Sequence, residues 1–244
     1  AHLEKGPCRF DELRDHLAQL KLSDDVRAIA YYVRTHLPLV QIAADSKWGY
    51  SGAAAFTLAE SWLGAPLPPG DANPQKLILR YLAAFGPATP GDAQEWSAAP
   101  KLREAFDSLR PKLRVFRDER RRELFDLPQA PRPPEDVAAP VRFLPDYENL
   151  ILSHADRRRF LAEPHRRLVF LSAARVRATF LVDGFVAGAW RIDRKKDAAA
   201  LVVEPFAPLA KSTASALAEE AERLVRFVED DAGKYDIRFE KPPA

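Results

Sequence analysis

The chain has 244 residues, 47% of them apolar and 30% charged, with a formal net charge of +2, the balance of an ordinary globular protein of one large or two to three small domains. No run approaches the roughly 18 apolar residues of a membrane helix, and Ala1-His2-Leu3-Glu4-Lys5 carries neither a signal-peptide core nor a transit-peptide bias, so a cytoplasmic protein without a membrane partner is expected. Cys8 is the only cysteine, which excludes an internal disulfide and argues against a thiolate zinc site; its simplest role is that of a small apolar residue near a turn.

Two segments echo each other 80 residues apart. Gly6-Pro7 is followed by Asp11-Glu12-Leu13, and Gly86-Pro87 by Asp92-Ala93 and Glu95. Glycine followed by proline stops a helix sharply, which predicts short helices over Ala1–Lys5 and Pro74–Phe85 before the two stops. A second helix follows in each copy, Phe10–Leu20 and Gly91–Ser97, the latter opened by a Thr89-Pro90 cap. A third helix comes next. Ser23-Asp24-Asp25 caps Val26–Thr35, and Pro100 opens a helix striped by Leu102, Ala105, Phe106 and Leu109. Hairpins then close each copy, Leu39–Ile42 with Ala55–Leu58 around Ser46–Gly52, and Leu113–Arg117 with Glu123–Leu127 around Asp118–Arg122. Three helices and a hairpin is the layout of a winged helix-turn-helix, so two in tandem are predicted, over residues 1–70 and 71–128.

Residues 129–140 belong to a stretch with five prolines between Pro128 and Pro140 and no periodicity, an extended linker. From 141 to 244 the pattern turns β-rich. Strands are predicted at Val141–Leu144, Ala178–Val182, Phe185–Ile192 and Ala199–Pro205, with Asp183-Gly184 as a two-residue hairpin turn. Thr213–Glu229 reads as an amphipathic helix and Tyr235–Phe239 as a last strand. The predicted class is therefore α+β: tandem winged helices followed by a small β-rich C-terminal α+β domain.

Charge is distributed unevenly. Lys and Arg number 9 against 11 acidic residues over 1–100, 22 against 15 over 101–200, and 6 against 9 over 201–244. A basic middle between acidic flanks suits an anionic partner, nucleic acid above all, although Arg-rich solvated faces are common. Its sharpest feature is the second wing, with Arg114 and Arg117 on a strand and Arg120, Arg121 and Arg122 at the tip. There they are free to reach a phosphate backbone or minor groove, or to remain a solvated turn. Strand alternation sets Arg114 on the same face as Phe116. The first wing, Lys47-Trp48-Gly49-Tyr50-Ser51-Gly52, offers Lys47 to phosphate and Trp48 and Tyr50 for stacking or wedging, or as a cover for the small core. A third candidate is His154-Ala155-Asp156-Arg157-Arg158-Arg159, with His165-Arg166-Arg167 beyond it. Phosphate binding through His154, Arg157, Arg158 and Arg159 suits it better than a metal held by His154, Asp156 and His165, whose spacing fits no helical pair and which lack a fourth ligand. No cofactor motif is present, and neither a glycine-rich phosphate loop, a Gly-x-Ser-x-Gly elbow nor a His-Glu-x-x-His pattern occurs.

Six segments in series carry a family likeness: Trp48-Gly49-Tyr50-Ser51-Gly52 with Leu58–Gly64; Arg80–Pro90; Val141-Arg142-Phe143-Leu144-Pro145; Leu152-Ser153-His154-Ala155-Asp156-Arg157; Val182–Gly188; and Val203-Glu204-Pro205-Phe206. Together they resemble the bacterial winged-helix DNA-binding family that includes the interstrand-crosslink-repair DNA glycosylases. The resemblance implies winged helices curved around duplex DNA and metal-free excision of alkylated or crosslinked bases. It also implies a Gln-x-Gln or Gln-x-Asp catalytic pair in an N-terminal winged helix. Here Gln19, Gln41, Gln75, Gln94 and Gln129 are the glutamines, and none has Gln or Asp two positions on. No catalytic residue is carried over. Because the sequence lacks methionine even at position 1, it reads as the body of a longer protein whose catalytic module precedes residue 1.

The expected function is DNA binding, with double-stranded DNA, alkylated or crosslinked, as partner and a monomer as the working state. A non-enzymatic winged-helix regulator is the alternative, but it needs a dimer and spaced half-sites, and no dimerisation helix is evident. A scaffold that uses winged helices for protein contacts is a third reading, and it would bind DNA weakly with little salt dependence.

Overall fold

The computed structural model describes residues 2–21, 24–43, 54–70, 73–172 and 174–243. The chain divides into two compact units, Ala1–Ala72 and Asn73–Ala244. It is an α+β protein, with helices and, among the described residues, three sheets.

The first unit runs β1 (Cys8–Arg9), α1 (Phe10–Gln19), α2 (Val26–His36), β2 (Leu39–Ile42), β3 (Ala55–Leu58) and α3 (Ala59–Leu63). His2–Glu4 is a turn rather than the predicted helix, since so short a segment cannot recover the cost of nucleating helical hydrogen bonds. Neither β1 nor α3 was anticipated. Asp25 caps α2 by accepting from the Ala28 N–H at 2.9 Å. The sheet order is β1-β3-β2, all antiparallel. Its core is small: Leu3, Cys8, Leu13, Leu17 and Ala30, backed by Phe10, Val26, Ile29, Val33, Leu39 and Leu58.

The second unit opens with α4 (Pro74–Phe85), α5 (Pro90–Ser97), α6 (Leu102–Leu109) and the hairpin β4 (Arg114–Arg117)–β5 (Glu123–Asp126). Ile78, Tyr81 and Leu82 of α4 meet Leu102, Phe106 and Leu109 of α6 and Phe125 of β5 in one core. Helix α6 starts at Leu102, two residues after the predicted opening at Pro100, because Ala98 and Lys101 take left-handed conformations and Gln94 Oε1 accepts from the Leu102 N–H at 3.0 Å. Gly86 ends α4 in extended backbone. A Cβ there would meet Asp126 Oδ1 at 2.4 Å and the Leu82 carbonyl at 2.7 Å, so close approach, not an unusual φ, demands glycine at this stop.

The rest of the unit comprises β6 (Arg142–Leu144), α7 (Asn149–Leu152), α8 (Arg166–Val169), β7 (Thr179–Val182), β8 (Phe185–Lys195), β9 (Ala198–Pro205), α9 (Lys211–Val228) and β10 (Lys234–Phe239). The sheet order is β10-β9-β8-β7-β6, antiparallel except that β10 runs parallel to β9. A parallel pair needs a crossover, and α9 supplies it. Leu217, Ala221 and Val225, spaced four apart, are fully buried against Phe180, Ala199, Leu201 and Val203. Buried strand β9 reads as an apolar run rather than an alternation. Asp183 and Gly184 both have positive φ in the β7–β8 turn, as an Asp-Gly hairpin of this type requires. A third core, with Ile151, Phe160, Leu161, Val169, Leu181 and Val186, fills the space beneath α7 and α8.

Candidate nucleic-acid interface

The second unit brings two basic segments that lie far apart in sequence to a single cleft. It has a volume of about 550 Å³ and is lined by Arg117, Asp118, Glu119, Arg120, Arg122 and Leu124 from the β4–β5 hairpin. Asp92 of α5, His154, Asp156, Arg158 and Arg159 of the loop after α7, and Phe185 of β8 complete the lining.

The hairpin loop is built around Asp118. Its carboxylate accepts from the backbone N–H groups of Arg120 (2.9 Å) and Arg122 (2.8 Å) and from Arg122 Nε (2.7 Å). Burial opposes its ionisation, but these bonds from Arg122 and Arg120 prevail and hold the carboxyl below its usual range. Arg121 closes the turn with φ +61° and donates its N–H to the Asp118 carbonyl at 2.9 Å. The Asp118 N–H donates to the Arg122 carbonyl at 3.0 Å, so the tip between them has three residues, and its left-handed position normally favours glycine. Among the described residues Arg120 and Arg121 make no ion pair, and Arg117, 70% exposed, has only Glu123 at 3.9 Å. Arg114 lies over the Phe116 ring at 4.9 Å, on the same face as strand alternation requires.

The 153–159 segment is pinned to α4 and α5. Tyr81 donates its hydroxyl to the Ser153 carbonyl at 2.7 Å. Burial, followed by the nearby Asp92, pushes that hydroxyl's pKa up, so it stays protonated. Asp92, only 4% exposed, spans two jobs. One oxygen closes the α5 cap with Thr89 N–H (2.9 Å) and Oγ1 (2.8 Å), while the other accepts from the N–H groups of Ala155 (3.0 Å) and Asp156 (3.3 Å).

His154 is equally buried, at 4% exposed. Ser153 donates its hydroxyl to the Leu150 carbonyl at 3.0 Å, so at 2.7 Å the imidazole Nδ1–H is the donor to Ser153 Oγ. The Nε2 lone pair then accepts from Arg159 Nη1 at 2.8 Å. The Phe85 carbonyl, 3.1 Å from Nε2, would accept from this nitrogen in the other neutral tautomer or in the protonated ring. Burial and the Arg159 guanidinium lower the imidazole pKa and keep it neutral. Arg159 also donates to the Pro87 carbonyl at 2.8 Å.

The sequence-derived candidates thus separate. Arg117, Arg120, Arg122, His154, Arg158 and Arg159 converge on the cleft. Arg157 turns away. Its side chain, 11% exposed, donates to the Ile151 carbonyl, pairs with Glu95 at 3.6 Å and lies over Phe170. Arg114 and Arg121 are exposed but do not line the cleft. Lys47, Trp48 and Tyr50 lie outside the described residues. Asp156 is taken up by arginines, and His165 Nδ1 has no hydrogen-bond partner among the described residues. Among the described residues no three His, Cys, Asp or Glu side chains gather as a metal site would, and no helix is long and apolar enough to cross a membrane.

Asp92, Asp118 and Phe185 were not singled out from sequence as parts of this cleft. The Thr89–Asp92 capping-box spacing was the available signal for the first. Phe185, 54% exposed beside the hairpin turn, presents an apolar ring at the cleft wall.

A family model described as DNA glycosylase AlkZ-like matches residues 1–227. The interstrand DNA cross-link repair glycosylase of Streptomyces sahachiroi is 29% identical over 185 residues, 70% of this chain and 48% of that protein. The chain therefore spans about half the length of this curated relative. The solved structure of Streptomyces sahachiroi DNA glycosylase AlkZ matches 98% of this chain and 66% of its own, with a TM-score of 0.67 at 23% identity, a likeness of fold. By the match across residues 1–227, the chain belongs to the DNA glycosylase AlkZ-like family.

Proposed function

We propose that this chain is the duplex-gripping body of a repair glycosylase that acts on alkylated or crosslinked bases. Its parts are two winged helices over 1–70 and 71–128, a proline-rich linker over 129–140 and a β-rich domain over 141–244. The observation that carries the reading is the convergence of Arg117, Arg120, Arg122, Arg158 and Arg159 on one cleft. Arginines grip phosphates with planar, multidentate geometry, and a β wing beside a three-helix core is a recurrent way to bring them to a duplex. The exposed Phe185 ring adds a surface on which a distorted or unstacked base would rest. Base excision itself is assigned to the whole protein rather than to this cleft, because the Gln-x-Gln or Gln-x-Asp spacing is absent from the sequence. Residues 47–52 are the expected second DNA-contacting wing.

Fluorescence anisotropy of the chain with a short duplex, at several salt concentrations, tests this reading. Binding should weaken steeply with salt, and a duplex bearing an alkylated base should bind more tightly than an intact one. Replacing Arg117, Arg120 and Arg121 together by alanine, with Arg122 left to brace the loop, should flatten the salt slope by up to about three phosphate contacts. An unchanged slope removes the hairpin from the interface. Equal affinity for damaged and intact duplex sinks the glycosylase part of the reading.

A further inference from the structure

The cleft is less basic than its arginines suggest. Five arginines line it, but so do the carboxylates of Asp92, Asp118, Glu119 and Asp156. Two of those four have structural work. Asp92 is spent on Thr89 and on backbone N–H groups, and Asp118 folds the hairpin loop through the backbone of Arg120 and Arg122.

Asp156 differs. Its side chain meets the backbone once, at the Arg158 N–H 3.3 Å away. Its other partners are guanidinium groups from both basic segments. Arg158 grips it with Nε at 2.7 Å and also with Nη2, while Arg122 Nη2 reaches it at 2.8 Å. Both arginines remain about 40% exposed toward solvent. A two-pronged guanidinium grip on a carboxylate has the same geometry as one on a phosphate.

We propose that Asp156 marks a phosphodiester subsite, its carboxylate standing between Arg122 and Arg158 where a backbone phosphate of DNA would otherwise bind. The inference rests on the DNA-binding reading above and adds a brake to it. An incoming phosphate must compete with a tethered anion, which restrains the cleft from holding anions indiscriminately and keeps the two guanidinium forks preorganised. Hydrogen bonds from Arg158 first, then from Arg122, hold the Asp156 carboxyl far below its usual range, so the competing charge is present at all physiological pH values. The arginine ends of these pairs are open to solvent although Asp156 itself is only 20% exposed, and pairs open at one end contribute modestly to folding, so exchanging this partner for a phosphate need not disturb the fold.

The test is Asp156→Asn, whose side-chain oxygen retains the bond to the Arg158 N–H without the charge. Asp156→Ser serves as a second neutral variant should the first fold poorly. Binding of a short undamaged duplex is measured at several salt concentrations. The melting temperature is also compared in chloride and in inorganic phosphate at equal ionic strength. The neutral variant is expected to bind duplex about three- to tenfold more tightly, with a salt slope steeper by about one contact. Inorganic phosphate should raise its melting temperature more than that of the wild type. Equal or weaker duplex binding, with wild-type melting in chloride, makes Asp156 a brace and overturns the proposal. If neither protein binds duplex, the DNA reading falls. The melting comparison then decides the anion subsite alone: a larger phosphate response in the variant sustains it, and an equal response removes it.

Discussion

His154 is kept neutral by burial first and by the Arg159 guanidinium beside it. Nδ1–H is committed to Ser153 Oγ, and the Nε2 lone pair to Arg159 Nη1. Protonating the ring would set a cation against Arg159 and Arg157 in a buried site, with Asp92 as the only opposing charge among the groups acting on it. An unfolded histidine takes up its proton near the ordinary value of 6.5, whereas the folded one resists to lower pH. In that window the unfolded state binds more protons, so stability is full above about pH 6.5 and falls as pH drops toward the lower folded value. Urea unfolding at a series of pH values should therefore show wild-type stability declining below that point. Replacement of His154 by glutamine should remove this part of the decline. Parallel pH profiles for the two proteins would show that His154 is not the group responsible. Asp92 exerts control at the same scale, since one side chain both caps α5 and holds the backbone of Ala155 and Asp156.

The β4–β5 hairpin carries a local backbone cost at the position proposed to contact DNA. Arg121 occupies a left-handed position at φ +61°, where a side chain costs about 1 kcal/mol more than glycine does. Arg121→Gly should accordingly stabilise the protein by about 1 kcal/mol in chemical denaturation. It should also weaken duplex binding and flatten the salt slope by about one contact. If affinity is retained, Arg121 serves only the turn. The elements of this region were legible in the sequence because each carries a strong local mark: the Thr89-Pro90 cap, the Leu102–Leu109 stripe, and the Asp183-Gly184 turn farther along. The elements that escaped, β1, α3, α7 and α8, have two to five residues, too few to display a period. The site was legible in its cations and obscure in its anions. Counting arginines pointed to both basic segments, but Asp92 meets Ala155 63 positions away, a pairing that only tertiary structure creates. The same limit left Arg157 among the candidates, since adjacency to Arg158 says nothing of its burial against Phe170.

At the scale of the molecule, the described residues that line the arginine cleft all belong to the second unit. Among the described residues, this cleft and the three cores of the second unit draw on residues beyond Asn73. Among the described residues, the core of the first unit likewise draws on residues of that unit. A unit with its own closed core is expected to fold by itself. Residues 73–244, produced alone, should thus melt cooperatively and bind a short duplex with most of the salt slope of the full chain, because counterion release follows the phosphates contacted rather than the size of the protein. The absolute affinity should be lower to the extent that Lys47, Trp48 and Tyr50 add contacts of their own. A fragment that folds but has lost most of the slope would move the principal DNA contacts to the first unit. The cleft between the hairpin and the 153–159 loop would then be a structural ion-pair network. A fragment that keeps the slope makes the arginines of this cleft the main grip on the phosphate backbone, and leaves the first unit to refine which duplex is held.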